Sequence, residues 1–244
     1  MNERVALITG GARGIGRGIA LDLAANDWTV AICYRASQLE AQEVVRTIEG
    51  KGGKALAIQC DVSDSLAAVQ LVQQVENTWG RIDALINGAG PYHRVPLFEE
   101  TADGWSEMFN NNLHPIFYLA KAVAPGMKVR QSGRIISFSM ANADKMEAQP
   151  SVTAHYIAKA GVLILTRTLA KILAPDGITV NAVSPGWIDS GSAPPGELDG
   201  MAKKIPAGYI GQVKDTVQAV RYFLSDEARY VTGANLHVSG GWGV

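Results

Sequence analysis

Apolar runs alternate with stretches of helical spacing along the whole chain. The runs that predict strands are Val5–Ile8, Trp28–Tyr34, Lys54–Cys60, Ile82–Asn87, Arg134–Phe138, Ile178–Val183 and Asn235–Val238. Between them, apolar residues recur at helical spacing after Arg17, after Ser37, from Leu66 to Trp79, after Asp103 and from Ala154 to Leu173. Because repeated β-α units place parallel strands side by side under helices, the pattern predicts a doubly wound α/β fold with seven parallel strands.

The chain contains no internal repeat, low-complexity tract or linker, so we predict a single domain over residues 1–244. One segment, residues 186–211, is rich in proline and glycine and shows no clear period. Long irregular segments of compact domains are usually functional or disordered. Its place after the sixth strand predicts a lid over a substrate pocket, although a tolerated surface loop fits the composition equally well.

The turn between the first strand and the first helix carries the clearest chemical signal. It reads Thr-Gly-Gly-Ala-Arg-Gly-Ile-Gly from Thr9 to Gly16. Glycines let the backbone approach a pyrophosphate closely, and the helix start directs unpaired N–H groups and positive dipole at the anion. Gly10, Gly14, Ile15 and Gly16 are therefore predicted to hold a phosphate-containing cofactor, because a strand precedes the turn and a helix follows it.

Composition narrows the function classes. A net charge of −1 gives no support for a nucleic-acid surface. No Cys/His cluster suggests a metal site, and no apolar run is long enough to span a bilayer. The first strand begins directly after the first four residues, without a signal peptide. We therefore expect a soluble cytoplasmic protein that binds a small molecule, with no metal, membrane or nucleic-acid partner.

Further motifs follow the glycine turn in a fixed order. They are Asp61-Val62, Asn87-Gly88-Ala89-Gly90, Asn112-Leu113, Lys159-Ala160-Gly161, Ser184-Pro185-Gly186-Trp187-Ile188, Val231-Thr232-Gly233 and Val238-Ser239-Gly240-Gly241. In order and spacing, the set resembles the short-chain dehydrogenase/reductase family over almost the whole chain. The resemblance implies a Rossmann-type fold, hydride transfer with a nicotinamide cofactor, and a homo-tetramer or homo-dimer.

The resemblance also implies how the cofactor is held. Asp61 and Val62 match the position that contacts adenine, and Lys159 matches the residue that holds the nicotinamide ribose. The remaining cofactor positions that the resemblance implies are Asn87, Ala89 and Gly90 after the fourth strand, and Pro185, Gly186 and Ile188 beside the nicotinamide.

The end of the second strand indicates which nicotinamide cofactor is used. NAD-using members of the family place a carboxylate there, whereas this chain reads Tyr-Arg-Ala-Ser from Tyr34 to Ser37. Arg35 and Ser37 can bind a 2′-phosphate, and Arg13 in the glycine turn resembles the basic residue of NADP-using members. These residues favour NADP(H) over NAD(H). The alternative is that both arginines are solvated surface residues.

The catalytic residues depart from the family pattern of Ser, Tyr-x-x-x-Lys and Asn. Asn112 and Lys159 match, but His155 stands four residues before the lysine, and Tyr156 stands three before it. The serine position falls on Met140, with Ser139 one residue earlier. On a continuing strand, Ser139 would face away from the site unless a bulge turned it back.

Two residues compete for the role of proton donor. Helical register favours His155, and a neighbouring Lys159 charge would oppose its protonation. Analogy with the tyrosine chemistry of the family favours Tyr156, if the helix start is distorted. A structural role for the Tyr156 ring is an equally good interpretation of the spacing.

These observations predict an NADP(H)-dependent oxidoreductase that interconverts a carbonyl and an alcohol. An alternative is a catalytically silent NADP(H)-binding sensor or interaction module, which the displaced Tyr and Ser would fit. A narrower alternative is a reductase of 3-oxoacyl thioesters or of pterin-like substrates.

Overall fold

The computed structural model describes residues 4–191, 196 and 198–244. The strands are β1 (Arg4–Thr9), β2 (Trp28–Tyr34), β3 (Ala55–Gln59), β4 (Ala84–Asn87), β5 (Gly133–Phe138), β6 (Ile178–Pro185), β7 (Ile188–Asp189), β8 (Gly211–Gln212) and β9 (Asn235–Val238). The α-helices are α1 (Gly14–Ala24), α2 (Gln38–Glu49), α3 (Ser65–Trp79), α4 (Ala102–Asn112), α5 (His114–Val129), α6 (Thr153–Leu173) and α7 (Val213–Leu224).

Seven of these strands form one parallel sheet in the order β3-β2-β1-β4-β5-β6-β9. The order reverses beside β1, between β1 and β4, which is the point where ligands bind in open α/β sheets. The predicted doubly wound, Rossmann-type fold with seven parallel strands is confirmed. Pairs such as Thr9 with Asn87, and Asn87 with Ser137, bring the ends of neighbouring strands to one edge, which we call the carboxyl edge.

Helices cover both faces of the sheet. Apolar side chains of α1, α2 and α7 pack on one face, and those of α3, α5 and the last turn of α6 pack on the other. Because both faces are covered, the central strands are apolar on both sides: Val5 to Ile8 in β1 are all buried. This rigid sheet fixes the positions of the loops at the carboxyl edge.

The predicted long helix after Asp103 is in fact two helices. α4 ends at Asn112, Leu113 separates it from the next helix, and α5 begins at His114 with Pro115 in its first turn. Proline lacks an N–H group and fits the first turn of a helix, where that group would have no partner, so the chain restarts there. Asn112 therefore stands at a helix end, not in the middle of a helix.

The segment predicted as a lid, residues 186–211, includes residues 192–195 and 197, which lie outside the described residues. Its two ends meet, because β7 pairs with β8 through Ile188 and Gly211. The lid role stays a prediction. Among the helices of the described part of the chain, none is long and apolar enough to cross a membrane.

Candidate active site

The glycine turn leads from β1 into α1 with the geometry that a phosphate site requires. Gly10 and Gly14 have positive φ values of 67° and 52°, which side chains other than glycine adopt at a cost. A Cβ on Gly16 would collide with the carbonyl oxygen of Gly10. Arg13 precedes the helix in an extended conformation, so the first N–H groups of α1, from Gly14 and Ile15 onward, face this turn.

The residues proposed for the 2′-phosphate lie beside the turn, and two have protein partners. The Arg13 guanidinium pairs with Glu40 at 2.5 Å, and both side chains are substantially exposed. Arg35 Nη1 donates to Asn111 Oδ1 at 3.3 Å. Ser37 stands directly before α2, but its side chain makes no capping hydrogen bond. Both cations are therefore accessible, and each must exchange its present partner to bind an anion.

The two residues predicted to contact adenine, Asp61 and Val62, lie after β3. Partial burial raises the pKa of Asp61, but hydrogen bonds from the Ser63 backbone and hydroxyl outweigh this effect and hold the pKa below its usual value. Its carboxylate therefore shapes the turn, while the side chain of Val62 is buried.

The end of β4 is tied to the glycine turn. Thr9 Oγ1 accepts hydrogen bonds from the N–H groups of Gly88 and Ala89, both at 3.1 Å. Asn87 Nδ2 donates to Ser137 Oγ at 3.2 Å, and Asn87 Oδ1 is buried without a hydrogen-bond partner. These bonds hold the backbone that continues to Gly90 in one position.

The side chains of Lys159 and Asn112 both lie close to Gly90. A Cβ on Gly90 would collide with Asn112 Oδ1 and would lie 3.6 Å from Lys159 Nζ. Asn112 Nδ2 donates to the carbonyl oxygens of Met108 and Pro91, whereas Asn112 Oδ1 is buried without a partner. Two residues that are 47 positions apart in the sequence are thus brought together at the carboxyl edge.

Lys159 is a buried cation. Its Nζ donates to the Phe138 carbonyl oxygen at 2.9 Å. Burial lowers its pKa from 10.5 to about 8, because removal from water disfavours the charged form. The ammonium group therefore titrates just above neutrality.

His155 lies one turn before Lys159 on α6 and is also buried. Burial is the main cause that lowers its pKa to about 3, followed by the positive charges of Lys159 and His93, while a hydrogen bond with the Pro91 backbone opposes the shift. The Tyr92 ring packs edge-on against the imidazole, with ring centroids 5.1 Å apart. The imidazole is neutral at physiological pH, and its buried Nδ1 has no partner.

Tyr156 points into the loop between β5 and α6. Its hydroxyl group donates to the Asn142 carbonyl oxygen at 2.7 Å and accepts from the Glu147 N–H at 3.0 Å. The side chain is buried, so this phenol fastens the loop to the helix start.

Both hydrogen-bond donors of Ser139 bind backbone carbonyl oxygens. Its hydroxyl group donates to the Lys159 carbonyl oxygen at 2.8 Å, and its N–H donates to the Val183 carbonyl oxygen. The two bonds hold the end of β5 against α6 and β6. The bond to Lys159 uses the single proton of the Ser139 hydroxyl group, so that proton is not available to a substrate.

The loop predicted to flank the nicotinamide begins at the end of β6. The Pro185 carbonyl oxygen accepts from the Ala141 N–H, and the Gly186 N–H donates to the Val238 carbonyl oxygen. A Cβ on Gly186 would lie 2.9 Å from Ser239, so only glycine fits there without displacement. Ile188 continues into β7 and is partly buried.

Three residues of the loop after β4 were not among the predicted ones: Tyr92, which packs against His155, and His93 and Glu100, which pair with each other. They follow β4 at the carboxyl edge, and the position of Tyr92 and His93 directly after the Asn87–Gly90 motif is the signal that could have indicated them. In the described part of the chain, no group of three or more His, Cys, Asp or Glu residues is arranged to hold a metal ion.

Comparison with known proteins identifies the family of this chain. A family model described as enoyl-(acyl carrier protein) reductase matches residues 10–243. The 3-oxoacyl-acyl-carrier-protein reductase FabG of Staphylococcus epidermidis is 39% identical over 244 residues, with 98% of each chain covered. The corresponding reductase of Synechocystis sp. is 35% identical over 242 residues and covers 99% of this chain and 97% of its own.

Solved structures agree with the sequence matches. A blue fluorescent protein from a metagenomic library, in complex with NADPH, superposes with a TM-score of 0.93 at 35% identity over 100% of this chain and 99% of that chain. Acetoin dehydrogenase YohF from Salmonella typhimurium has a TM-score of 0.90 at 28% identity over 98% and 96% of the two chains. By sequence and by structure, this chain belongs to the short-chain dehydrogenase/reductase family.

Proposed function

We propose that this protein is an NADP(H)-dependent oxidoreductase that interconverts a carbonyl and an alcohol, and that 3-oxoacyl thioesters are its substrate class. The observation that carries the proposal is the convergence of Lys159 Nζ, Asn112 Oδ1 and Gly90 beside the glycine turn. The substrate class is supported by two relatives that are 3-oxoacyl-acyl-carrier-protein reductases.

The residues present fit a nicotinamide dinucleotide. The closely packed turn from Gly10 to Gly16 leaves room for a pyrophosphate at the start of α1, and the unpartnered Asn112 Oδ1 awaits a donor. Lys159 would hold the nicotinamide ribose, and the backbone of Pro185, Gly186 and Ile188 would flank the nicotinamide. When bound, the reduced cofactor supplies a hydride to the substrate carbon.

NADP(H) is the favoured form because no carboxylate occupies the end of β2, where Arg35 and Ser37 stand. The neighbour that is in complex with NADPH supports this choice. Replacement of Arg35 by Ala should reduce the preference for NADPH over NADH by about tenfold, the scale of one charge-assisted hydrogen bond. Equal affinities of the unmodified protein for the two cofactors would contradict the assignment.

His155 occupies the helix position of the family tyrosine, and we assign it the role of hydrogen-bonding partner for the substrate oxygen. Its unpartnered Nδ1 and its neutral state suit that role, because a neutral imidazole carries one N–H donor and one acceptor. Tyr156 and Ser139 are less suitable, since their hydroxyl groups already bind the Asn142 and Lys159 backbone.

The ammonium of Lys159 adds electrostatic stabilisation. A buried positive charge strengthens interactions with an oxygen that gains negative charge as the hydride arrives, because the site excludes water. Its single observed hydrogen bond, to Phe138, leaves further N–H groups for the cofactor ribose.

The test is NADPH oxidation by the purified protein with 3-oxoacyl thioesters, simple ketones and pterin-like compounds as parallel substrates. We expect thioester-dependent oxidation that is faster with NADPH than with NADH. Tight NADPH binding without oxidation by any substrate would contradict the proposal and favour the silent binding protein, to which the absence of the family Ser and Tyr points. Selective turnover of the pterin-like compounds would retain the oxidoreductase and replace its substrate class.

A further inference from the structure

The two cysteines of the chain, Cys33 and Cys60, lie side by side on one face of the sheet. Cys33 lies in β2 and is only 2% exposed, whereas Cys60 directly follows β3 and is partly buried. Cys33 pairs with Ile58 of β3, and Cys60 comes two residues after Ile58, so both side chains point to the face that α3 and α5 cover. Neither cysteine is among the predicted cofactor or catalytic residues.

Direct contacts join the two cysteines. Cys33 Sγ donates to the Cys60 carbonyl oxygen at 3.5 Å, and the two thiols also form a hydrogen bond with each other. Cys60 Sγ donates to the Ala67 carbonyl oxygen in the first turn of α3, also at 3.5 Å. Because a disulfide holds its sulfurs about 2 Å apart, sulfurs that already form a hydrogen bond need only a small shift to join.

The contact gives the two thiols different reactivities. The hydrogen bond from Cys33 lowers the pKa of Cys60, although burial and the carboxylates of Asp61 and Asp64 oppose this shift. The same hydrogen bond, followed by burial and by the charge of Cys60, raises the pKa of Cys33. The thiolate therefore forms at Cys60, the more exposed of the two, while Cys33 stays protonated beside it. A partly exposed thiolate next to a second thiol is the arrangement of redox-sensing cysteines.

The cysteine pair adjoins the predicted cofactor positions from two sides. Cys60 directly precedes Asp61, which is predicted to contact adenine. The Cys33 carbonyl oxygen accepts a hydrogen bond at 3.3 Å from the N–H of Gly11, which belongs to the glycine turn. A change in the bonding of the two sulfurs therefore acts on backbone that is continuous with the predicted cofactor site.

We propose that Cys33 and Cys60 form a peroxide-reactive dithiol, which closes to an intramolecular disulfide and in that form binds NADP(H) more weakly. The Cys60 thiolate attacks one oxygen of hydrogen peroxide, the O–O bond breaks, and Cys60 becomes a sulfenic acid with release of hydroxide. The Cys33 sulfur then attacks the Cys60 sulfur, the S–O bond breaks, and the Cys33 proton leaves with the hydroxyl group as water. The peroxide has accepted two electrons from the thiol pair, and a small dithiol can return them.

Closure of the disulfide should move Cys60 and leave Cys33 in place. Cys33 belongs to β2, which is paired with β1 on one side and β3 on the other, whereas Cys60 follows the last residue of β3, an edge strand of the sheet. The Cys60 side chain must leave the Ala67 carbonyl oxygen, and the adjoining Asp61 is displaced with it. The expected loss of affinity therefore rests on the proposed cofactor site, whereas formation of the disulfide rests on the two thiols alone.

The first experiment exposes the purified protein to hydrogen peroxide without cofactor, unfolds it in the presence of an alkylating reagent and measures its mass. We expect both thiols to be lost together in a single-chain product that is lighter by two hydrogen atoms, and dithiothreitol should restore both. Cys33→Ala should stop at a sulfenic acid on Cys60, which dimedone traps, and should react several-fold more slowly because Cys60 loses its hydrogen bond. Cys60→Ala should leave Cys33 reduced.

Retention of both thiols, a disulfide between two chains, or oxidation of Cys60 to a sulfinic acid with Cys33 unchanged would overturn the inference. Disulfide formation that is no faster in the folded protein than in urea would also overturn it, because the fold would then contribute nothing. Cys60→Ala decides the order of reaction if Cys33→Ala does not fold: loss of the Cys33 thiol at the rate of the unmodified protein would contradict attack by Cys60.

The second experiment compares the NADPH affinity of the reduced, oxidised and re-reduced protein by fluorescence titration. We expect roughly two- to tenfold weaker binding by the oxidised protein, the scale of one hydrogen bond at the adenine end, with recovery after reduction. Bound NADPH should in turn slow disulfide formation. The control is the double variant Cys33→Ala/Cys60→Ala, whose affinity peroxide should not change, and an equal loss in that variant would assign the effect to other oxidised side chains and contradict the proposal.

Equal affinities of the reduced and disulfide forms would overturn the effect on binding. Absence of NADPH binding by the reduced protein is a failure of the proposed function and removes the affinity effect with it, whereas the mass measurement still decides whether the disulfide forms. Normal NADPH binding and turnover in a protein that forms no disulfide is a failure of this inference alone.

Discussion

The two halves of the carboxyl edge are built on different principles. On the cofactor side, at the ends of β1 and β4, the contacts hold backbone in place: the Thr9 hydroxyl oxygen accepts from the Gly88 and Ala89 N–H groups, and Gly16 packs against the Gly10 backbone. On the reaction side, at the end of β5 and the start of α6, the chemistry depends on which side chains face inward. The glycine turn of the family is retained on the first side, whereas the family Ser and Tyr positions hold other residues on the second.

This difference has a physical cause. A backbone cradle needs glycine wherever a Cβ would collide, so few sequences can form it. A proton donor needs only a suitable group at the right distance, and another element can supply it. Here the hydroxyl groups of Tyr156 and Ser139 bind backbone carbonyl oxygens, while the ring of His155 packs against Tyr92 of the loop that follows β4.

The largest effect is expected on NADPH affinity, from a substitution in the glycine turn of the cofactor side. Gly16→Ala introduces a Cβ that collides with the Gly10 carbonyl oxygen. We expect NADPH affinity to fall roughly 100- to 1000-fold, about 3–4 kcal/mol, when it is measured by fluorescence titration.

The control is Gly52→Ala, which places a Cβ in open space far from the turn, although at a strained φ of 84°. It should lower the melting temperature without changing NADPH affinity. Normal NADPH binding by a folded Gly16→Ala protein would show that the turn does not hold the cofactor.

The next effect concerns the buried cation of the reaction side. The pKa of Lys159 is about 8 in the folded protein and 10.5 as the ordinary value, so folding favours the neutral amine. The resulting penalty is fully present below pH 8 and is relieved as pH rises from about 8 to above 10.5. Lys159→Met removes the titrating group and should be more stable than the unmodified protein at neutral pH by up to about 3 kcal/mol.

Urea unfolding of the two proteins at neutral and alkaline pH measures this difference. The advantage of Lys159→Met should shrink as pH rises, since the unmodified protein then loses its charge penalty. A difference that does not vary with pH would mean that burial does not perturb the lysine. NADPH affinity should be lower in Lys159→Met at neutral pH, because the ribose loses its charged partner.

A pair of neighbouring substitutions tests which residue of α6 faces the substrate. His155→Phe removes the hydrogen-bonding partner and should lower kcat/KM by about 100-fold, the scale for one donor at a reacting oxygen. Tyr156→Phe should leave most of the turnover but lower the free energy of unfolding by about 1–3 kcal/mol, because the Glu147 N–H loses its acceptor and the Asn142 carbonyl keeps only its bond from the Lys145 N–H.

Steady-state kinetics and urea unfolding of both variants separate these effects. The opposite result, loss of turnover in Tyr156→Phe and retention in His155→Phe, would return the role of the family tyrosine to Tyr156. Because the pKa of His155 is about 3, this residue does not titrate near neutral pH. The pH dependence of the rate near neutrality should therefore be the same in His155→Phe as in the unmodified protein.

The fold, which is confirmed, and the cofactor positions, which stay a prediction, could both be predicted from the sequence because they follow from local patterns. The strand runs and the spacing of Gly10, Gly14 and Gly16 are properties of short segments. The partners of Tyr156 and Ser139 could not be derived that way, since a hydroxyl group chooses among all atoms within reach in the folded chain. The break at Leu113 could have been predicted from Pro115, which fits a helix start better than a helix interior.

His93 and Glu100 show the same limit more clearly. They are seven positions apart in a segment whose only regular element is the 3₁₀ turn Leu97–Glu99, so no period relates them. Only the fold brings Tyr92, which precedes His93, against His155 of α6, a helix that begins more than 50 residues later.

The smallest effect is expected from the exposed Arg13–Glu40 pair on the cofactor side, and it again concerns NADPH affinity. Glu40 pairs with Arg13 at 2.5 Å, so a cofactor 2′-phosphate must displace a carboxylate and also meets its repulsion. Glu40→Gln should therefore raise NADPH affinity and leave NADH affinity unchanged. Both side chains are exposed, and the pair is worth only about 0.2–1 kcal/mol, so the gain should be roughly two- to fivefold and should decrease with added salt. The control is Glu43→Gln, which removes the same charge from the neighbouring Arg17–Glu43 pair between α1 and α2. Equal gains in the two variants would indicate a general charge effect, and an equal gain for NADH would show that the 2′-phosphate is not involved. A loss of NADPH affinity in Glu40→Gln alone would mean that Glu40 positions Arg13 for the phosphate instead of competing with it.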